Sequence, residues 1–195
     1  MNMQSVAIVG TKAWEMREEP ADYLGHEAAG EVIEVAQPSK VKVGDRVIFV
    51  ARNPYRIALG ERLGASAVVN AHDPDAMEQL RELSGGGPTA AVDTSGAAIY
   101  IKLLISALRR RGKLAIIGEG GEVPIAISDG LIRNGLKVYG LWHYSLALTQ
   151  LMIEMIAAVS DQLDVLITHE FPLNRVEDAW RLQQSGRCGK VILRP

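Results

Sequence analysis

The stretch from Arg46 to Asn70, RVIFVARNPYRIALGERLGASAVVN, holds two short apolar runs separated by a helical segment. Arg46 to Val50 is apolar and rich in β-branched residues, which predicts a strand buried on both faces. A helix is expected from Pro54 to Leu63, because proline at a first helical position lacks only an amide hydrogen that would have no partner there. Ser66 to Asn70 predicts the next strand. A strand–helix–strand unit of this length indicates parallel strands joined by a crossover helix.

The same alternation continues along the chain. A helix from Asp73 to Leu83 ends at the turn sequence SGGGP, and a helix from Ala97 to Arg111 carries an apolar face of Ile99, Leu103, Leu104 and Leu108. Three further strands are predicted, at Ala90 to Val92, Lys113 to Ile117 and Leu136 to Trp142. The fold class is therefore α/β, a doubly wound parallel sheet that binds ligands outside the carboxyl ends of its strands.

The two ends of the chain follow other patterns. Leu146 to Val159 predicts an amphipathic helix, and strands at Asp164 to Ile167 and Lys190 to Leu193 flank a last helix from Val176 to Gln184. Residues 1–45 contain short strand-like runs broken by glycines and no clear long helix. That pattern is typical of part of a β-rich module too short to close a barrel.

Composition excludes several classes of protein. The 195 residues are 48% hydrophobic and 23% charged with a net charge of -2, so nucleic acid and anionic membranes are not expected as main partners. No apolar run reaches the roughly 20 residues of a membrane span, and the first residues do not resemble a secretory signal. The single cysteine, Cys188, fits a reducing, cytoplasmic setting and excludes zinc sites that need two cysteines from one chain.

Several motifs occur in a recognisable order. GHEAAGEV begins at Gly25, VGDRV at Val43, DTSG at Asp93, ITHEFPL at Ile167 and SGRCGKV at Ser185. This order resembles the zinc-type medium-chain alcohol dehydrogenases, the family that includes polyol and threonine dehydrogenases. The resemblance implies a remnant of a GroES-like catalytic module at 1–47, an incomplete Rossmann-like cofactor domain at 48–160, and a segment at 161–195 that returns to the catalytic module.

The departures from the family pattern are equally specific. Family members carry a cysteine-containing strand and loop before GHE, a zinc lobe with four cysteines, and a strand with a GxGxxG turn before the strand that matches RVIFV. Here Glu19-Pro20-Ala21 leads almost directly into Gly25, and VGDRV passes directly into the second cofactor-domain strand. The chain therefore resembles a member with two internal segments missing, and we expect the first strand of the sheet and its glycine-rich turn to be absent.

The resemblance also implies site residues. In the family, the histidine of GHE binds the catalytic zinc and the next glutamate lies near it, so His26 and Glu27 are the candidates for catalysis and His26, with Glu27 possible, for the metal. Zinc suits this chemistry because it lowers the proton affinity of the alcohol oxygen. A catalytic site needs about three protein ligands. The alternative, favoured by that count, is that His26 is an ordinary loop histidine.

The implied nucleotide site spreads over several strand ends. By the resemblance, Arg52, Asn53, Arg56, Ser95, Gly96, Gly118 and Lys190 bind the cofactor, which is NADP or NAD. Ala51 stands where an acidic residue would bind the ribose, and Arg52 follows it, which favours the 2′-phosphate of NADP. For Arg52, Arg56 and Lys190 an ordinary solvated surface charge is an equal alternative.

Three functions remain open on the sequence. The first is hydride transfer between a small alcohol or polyol and NAD(P). The second is a catalytically silent remnant that binds a nucleotide or dimerises, since Trp142, His143 and Tyr144 end a strand that the family pairs across a two-fold axis. The third, a methyltransferase, is disfavoured by GHE and ITHEFPL. A homodimer or higher homo-oligomer is expected in either of the first two cases.

Overall fold

The computed structural model describes residues 5–9, 46–142 and 146–195 of the chain. The predictions for His26, Glu27, His143 and Tyr144 therefore lie outside the described residues. None of the described helices is long and apolar enough to cross a membrane.

Eight strands and six α-helices are described. The strands are β1 (Ser5–Val9), β2 (Arg46–Ala51), β3 (Ala67–Asn70), β4 (Ala90–Asp93), β5 (Lys113–Ile116), β6 (Lys137–Gly140), β7 (Ile167–Pro172) and β8 (Lys190–Arg194). The helices are α1 (Pro54–Arg62), α2 (Ala76–Leu83), α3 (Ala98–Ala107), α4 (Thr149–Ala158), α5 (Ser160–Leu163) and α6 (Val176–Ser185). A π-helical turn covers Ile127–Ile132, and short 3₁₀ turns cover Leu146–Leu148, Asp164–Leu166 and Leu173–Arg175.

Six strands form one parallel sheet in the order β3-β2-β1-β4-β5-β6. The strand order reverses at β1, which pairs with β2 on one side and β4 on the other. This confirms the predicted doubly wound sheet. It differs from the prediction in one respect: Ser5–Val9, expected in the N-terminal module, lies in the central position that we expected to be empty. A run of apolar, β-branched residues can fill such a position because both of its neighbours offer unpaired backbone groups.

Helices cover both faces of this sheet. Ile48 and Val50 of β2 are fully buried in a core cluster with Leu80 of α2 and Leu104 of α3. Because successive strand residues point to opposite faces, Phe49 faces the other way. There it meets α1, where a Cβ on Gly60 would lie 2.4 Å from the Phe49 ring. Because helices cover both faces of the sheet, β2 is buried along nearly its whole length.

The helix predicted from Ala97 to Arg111 is shorter in the structure. It ends at Ala107, and Leu108 leaves it in an extended conformation with only 6% of its surface exposed. The predicted apolar face was also wrong in part, because Ile99 is 51% exposed. Tyr100, Ile101, Leu104 and Ile105 form the buried face instead. The helix ends early because the chain must turn into β5, and Leu108 fills the core at that turn.

The C-terminal part forms a separate two-stranded parallel sheet of β7 and β8, with α6 as the crossover. The strand predicted at Asp164 to Ile167 was placed too early: 164–166 form a 3₁₀ turn and the strand runs from Ile167 to Pro172. The remaining elements agree with the predictions for α4, α6 and β8 within a few residues. His169 lies within β7, where its Nδ1 is 2.9 Å from the Thr168 hydroxyl.

Candidate nucleotide-binding site

The strand ends of the large sheet bring most predicted site residues to one edge. Val9 pairs with Val50 and with Asp93, and Asp93 pairs with Ile116, so β2, β1, β4 and β5 end at the same level. Three loops follow these ends and carry Arg52, the Ser95-Gly96 pair and Gly118. This carboxyl edge lies at the point where the strand order reverses, which is where open parallel sheets bind ligands.

Two of these loops pack backbone against backbone. The amides of Ile117 and Gly118 both donate to the carbonyl oxygen of Asp93, at 2.8 and 3.1 Å. A Cβ on Gly118 would lie 2.2 Å from the amide nitrogen of Gly96, and a Cβ on Gly96 would lie 2.0 Å from the carbonyl oxygen of Glu119. Gly96 also has a φ of 65°, which glycine adopts without strain. Because neither glycine has a side chain, the two loops can pack closely at this edge.

Asp93 organises the loop after β4. Its side chain is fully buried and accepts hydrogen bonds from the Ser95 amide at 3.2 Å, the Ser95 hydroxyl at 2.6 Å and the Gly96 amide at 2.9 Å. Burial raises the pKa of this carboxyl above its ordinary 3.8, and the hydrogen bonds from Ser95 and Gly96 partly oppose that rise. The Ser95 hydroxyl in turn accepts from the Ala97 amide at the start of α3. Ser95 and Gly96 are thus fixed in place by Asp93.

Arg52 places a positive charge at the carboxyl edge. It follows Ala51, whose side chain is buried with 3% exposure, and is itself exposed to solvent. Its charge lies close enough to the buried Tyr100 to lower the pKa of that phenol, although burial of the ring raises it more. The guanidinium at the end of β2 can therefore meet a ligand from solvent.

Asn53 has a structural role that the sequence prediction missed. Its Oδ1 accepts from the Tyr55 amide at 2.9 Å and caps α1, while its Nδ2 donates to the Gly186 carbonyl oxygen at 3.0 Å. Both ends of the side chain are therefore hydrogen-bonded within the protein, and a contact of Asn53 with the cofactor stays a prediction. The signal was present, because asparagine directly before proline at a helix start is typical of a cap.

Substitution of Asn53 tests the contributions of its two hydrogen bonds to stability. Asn53→Ser keeps an oxygen that can cap α1 but loses the donor to Gly186, whereas Asn53→Ala loses both. We expect Asn53→Ala to lower the free energy of unfolding by about 2 kcal/mol and Asn53→Ser by about 1 kcal/mol. Chemical denaturation measures both values. A cost near zero for Asn53→Ser would show that the bond to Gly186 contributes nothing, and equal costs for the two variants would show that the cap of α1 contributes nothing.

Arg56 and Lys190 lie on α1 and β8. Arg56 is half-buried within α1, and Lys190 is the exposed first residue of β8. A Cβ on Gly189, which precedes Lys190, would lie 3.1 Å from Leu59 of α1. The backbone before Lys190 therefore packs against α1. Their contact with a cofactor remains a prediction.

The metal site cannot be assembled from the described part of the chain. Within residues 5–9, 46–142 and 146–195, no group of three or more His, Cys, Asp or Glu side chains lies together. Cys188 is buried, with its sulfur 3.3 Å from Oε1 of Gln183. The donor set of the described residues does not fit a zinc ion.

The parallel sheet, with its strand order reversing at β1 and helices on both faces, defines a Rossmann-like domain. The family described as "Zinc-binding dehydrogenase" matches residues 35–160. The chain belongs to this family, and the resemblance found in the sequence is thereby confirmed.

Known proteins with similar sequences carry related names. The chain is 28% identical over 166 residues to the L-threonine 3-dehydrogenase of Caldanaerobacter subterraneus, covering 83% of this chain and 48% of that one. It is 27% identical over 154 residues to the sorbitol dehydrogenase of Bacillus subtilis, covering 76% and 43%. The chain thus spans somewhat less than half the length of either relative.

A solved structure supports the fold. An alcohol dehydrogenase from Thermotoga maritima matches with a TM-score of 0.77 at 21% identity. The match covers 100% of this chain and 51% of that one. Together with the sheet order, it confirms a Rossmann-like fold.

Proposed function

We propose that the chain is the cofactor-binding part of an NAD(P)-dependent dehydrogenase that acts on a small alcohol or polyol. The observation that carries this proposal is the carboxyl edge, where Arg52, Ser95, Gly96 and Gly118 meet at the strand reversal. A bound nicotinamide would accept or deliver the hydride. The residues of the chain would bind and orient the nucleotide, with the rigid pair of loops around Gly96 and Gly118 forming the floor of the site.

The charge at the end of β2 supports NADP over NAD. A carboxylate in this position binds the ribose hydroxyls of NAD, and here the position holds the buried methyl group of Ala51. The exposed guanidinium of Arg52 can bind a 2′-phosphate through two parallel hydrogen bonds. Arg56 and Lys190 are proposed as further cofactor contacts on neighbouring elements.

His26 and Glu27 remain the proposed catalytic pair, with His26 as a zinc ligand. By the ligand count, they need further donors to hold a catalytic zinc ion. Activity of this chain alone is therefore in doubt, and nucleotide binding is the function that the described residues support. The single thiol and the absence of a charge imbalance fit the proposed cytoplasmic setting.

Titration of the full chain with NADPH and NADH tests the proposal. We expect NADPH to bind at least about tenfold more tightly than NADH, because one charge-assisted pair contributes about 1.5–3 kcal/mol. Arg52→Ala should remove this preference, and Arg62→Ala, which removes an exposed cation from the far end of α1, should not. Metal analysis of the same sample reports on zinc. No binding of either nucleotide at millimolar concentration and no stoichiometric zinc would reject the dehydrogenase assignment.

A second candidate function is dimerisation, and the edge of the sheet favours it. All four residues of β6 are exposed, and Tyr139 and Trp142 expose 44% and 64% of their surfaces. An apolar edge strand of this kind can pair with a second copy through its free backbone groups. We therefore propose a homodimer or higher homo-oligomer formed through β6.

A charge on this edge should separate the copies. We expect Tyr139→Lys to shift the chain from dimer to monomer in analytical ultracentrifugation, because a lysine facing its symmetry mate is repelled and strongly hydrated. Leu173→Lys, at a residue 58% exposed before α6, is the matched control and should leave the dimer intact. A wild-type chain that sediments as a monomer at all concentrations would contradict the dimer proposal.

A further inference from the structure

The amino edge of the sheet, opposite to the nucleotide-binding edge, collects basic residues. The loop before β5 and the loop before β6 are bonded to each other, since the Arg111 amide donates to the Asn134 carbonyl oxygen at 2.7 Å and the Lys137 amide to that of Gly112 at 3.0 Å. Seven exposed cations lie on or beside these loops. They are Arg81, Arg109, Arg110, Arg111, Lys113, Arg133 and Lys137.

Part of this surface is concave. A cleft of about 450 Å³ lies between α2, the end of α3 and the π-helical turn. Arg81, Arg109 and Arg110 line it together with the polar residues Ser106 and Asn134. Its volume is within the range of small-molecule sites.

The guanidinium groups of this cleft are only partly used by the protein. Arg81 donates to the Ser106 carbonyl oxygen at 2.7 Å, which fixes its position at the end of α3. Arg110 reaches the Arg133 carbonyl oxygen at 3.4 Å. Among the described residues, Arg109 makes no side-chain hydrogen bond or ion pair. The three guanidinium groups that line the cleft therefore keep N–H donors beyond the bonds that the described residues make.

The charges around the cleft are poorly balanced. Asp129 is its one acidic lining residue within the described chain, and it pairs with Arg133 at 2.9 Å. Lys113 and Lys137 are directly opposite each other in the register of β5 and β6, an arrangement that like charges disfavour. Arg111 has a φ of 63°, a conformation that non-glycine residues rarely adopt and that is more frequent at binding sites.

We propose that this cleft binds a small anion that carries two or more phosphate groups. Guanidinium groups suit phosphate because their paired N–H donors match its oxygens. Such an anion would also relieve the repulsion among the surrounding cations. This site is separate from the nucleotide-binding edge and does not depend on the proposed function.

A nucleic acid fits this surface less well. Proteins that bind single strands stack bases on aromatic side chains, and no aromatic residue lines the cleft. The carboxylate of Asp129 would also repel a continuous phosphate backbone. A compact polyphosphate can bind the arginines while avoiding Asp129, so it is the ligand that the lining favours.

Calorimetric titration of the full chain with tripolyphosphate tests this proposal. We expect saturable binding with one site per chain, weakened at least about tenfold in the double variant Arg109→Ala/Arg110→Ala. Arg62→Ala/Arg181→Ala removes the same charge from two exposed helical positions elsewhere and should leave the affinity within about twofold. Arg109→Glu, a single exposed change, should weaken binding at least as much as the double variant.

Distinct results would overturn the proposal. Equal weakening by both double variants would show that only the overall charge matters. Loss of binding in Arg52→Ala, with no loss in Arg109→Ala/Arg110→Ala, would place the anion at the nucleotide-binding edge. Tighter binding of a single-stranded RNA oligonucleotide than of tripolyphosphate, again lost in Arg109→Ala/Arg110→Ala, would make the surface a nucleic-acid site.

Discussion

Replacing Gly96 by alanine should unfold a large fraction of the protein, with the free energy of unfolding reduced by about 3 kcal/mol or more. Two effects add at this position. The φ of 65° is unfavourable for a residue with a Cβ, and that Cβ would lie 2.0 Å from the Glu119 carbonyl oxygen. Because the atoms that this Cβ would meet belong to the backbone, they cannot rotate out of its way. Denaturant titration measures the loss, and NADPH affinity should fall with it because the loop after β4 must move.

Two other glycines separate these effects. Gly121→Ala meets nothing within 4 Å and should change stability by less than about 0.5 kcal/mol. Gly64→Ala also has open space but a φ of 85°, so it should cost about 1 kcal/mol from backbone strain alone. A cost at Gly96 equal to that at Gly64 would contradict the close packing of the two loops.

Asp93→Ala is the second large effect that we expect. The substitution leaves three buried donors, the Ser95 amide and hydroxyl and the Gly96 amide, without their acceptor. The cost should be about 3 kcal/mol in the free energy of unfolding, measured by denaturation. Asp75→Ala removes an exposed carboxylate that accepts from Gln79, and it should cost less than about 0.5 kcal/mol. Similar costs at Asp75 and Asp93 would contradict the central role of Asp93.

The pKa of Asp93 adds a dependence on pH. Burial raises this pKa in the folded protein, so the folded state holds the proton more tightly than the unfolded chain does. As pH rises from the ordinary 3.8 through the raised value, the unfolded chain releases its proton first and stability falls. In the variant Asp93→Asn the side chain is an amide, which does not titrate in this pH range. The unfolding free energy of the wild type minus that of the variant should therefore decrease across this window and then level off, and an increase would contradict the raised pKa.

The fold was largely predictable because its strands are buried on both faces. RVIFV and its neighbours are continuous apolar runs, and the helices between them have clear starts such as Asn53-Pro54. The position of Ser5–Val9 was not predictable by this reasoning. A run of four apolar residues such as Val6 to Val9 fits several sheets equally well, and only pairing with both β2 and β4 selects one. Nothing in a local pattern reports a partner so distant in the chain.

The candidate site was predictable in its positions but not in its interactions. The family resemblance implied Arg52, Ser95, Gly96 and Gly118, and the parallel strands carry these residues at one edge of the sheet. The pattern did not reveal that Asn53 would bond to Gly186, 133 residues away, or that Asp93 would be buried. Such roles depend on tertiary contacts and on which carboxylate is removed from water. The basic amino edge likewise combines loops that are separate in sequence.

Amide hydrogen exchange with and without NADPH tests the central claim most directly, because it locates the bound nucleotide on the chain. We expect slower exchange at the amides that follow β2, β4 and β5, namely 52–53, 55–56, 94–98 and 117–121, with little change along β6. Protection at all three loops would place the nucleotide at the carboxyl edge of the sheet. Protection confined to the amino edge, or none at saturating NADPH, would contradict the claim that this edge is the nucleotide site.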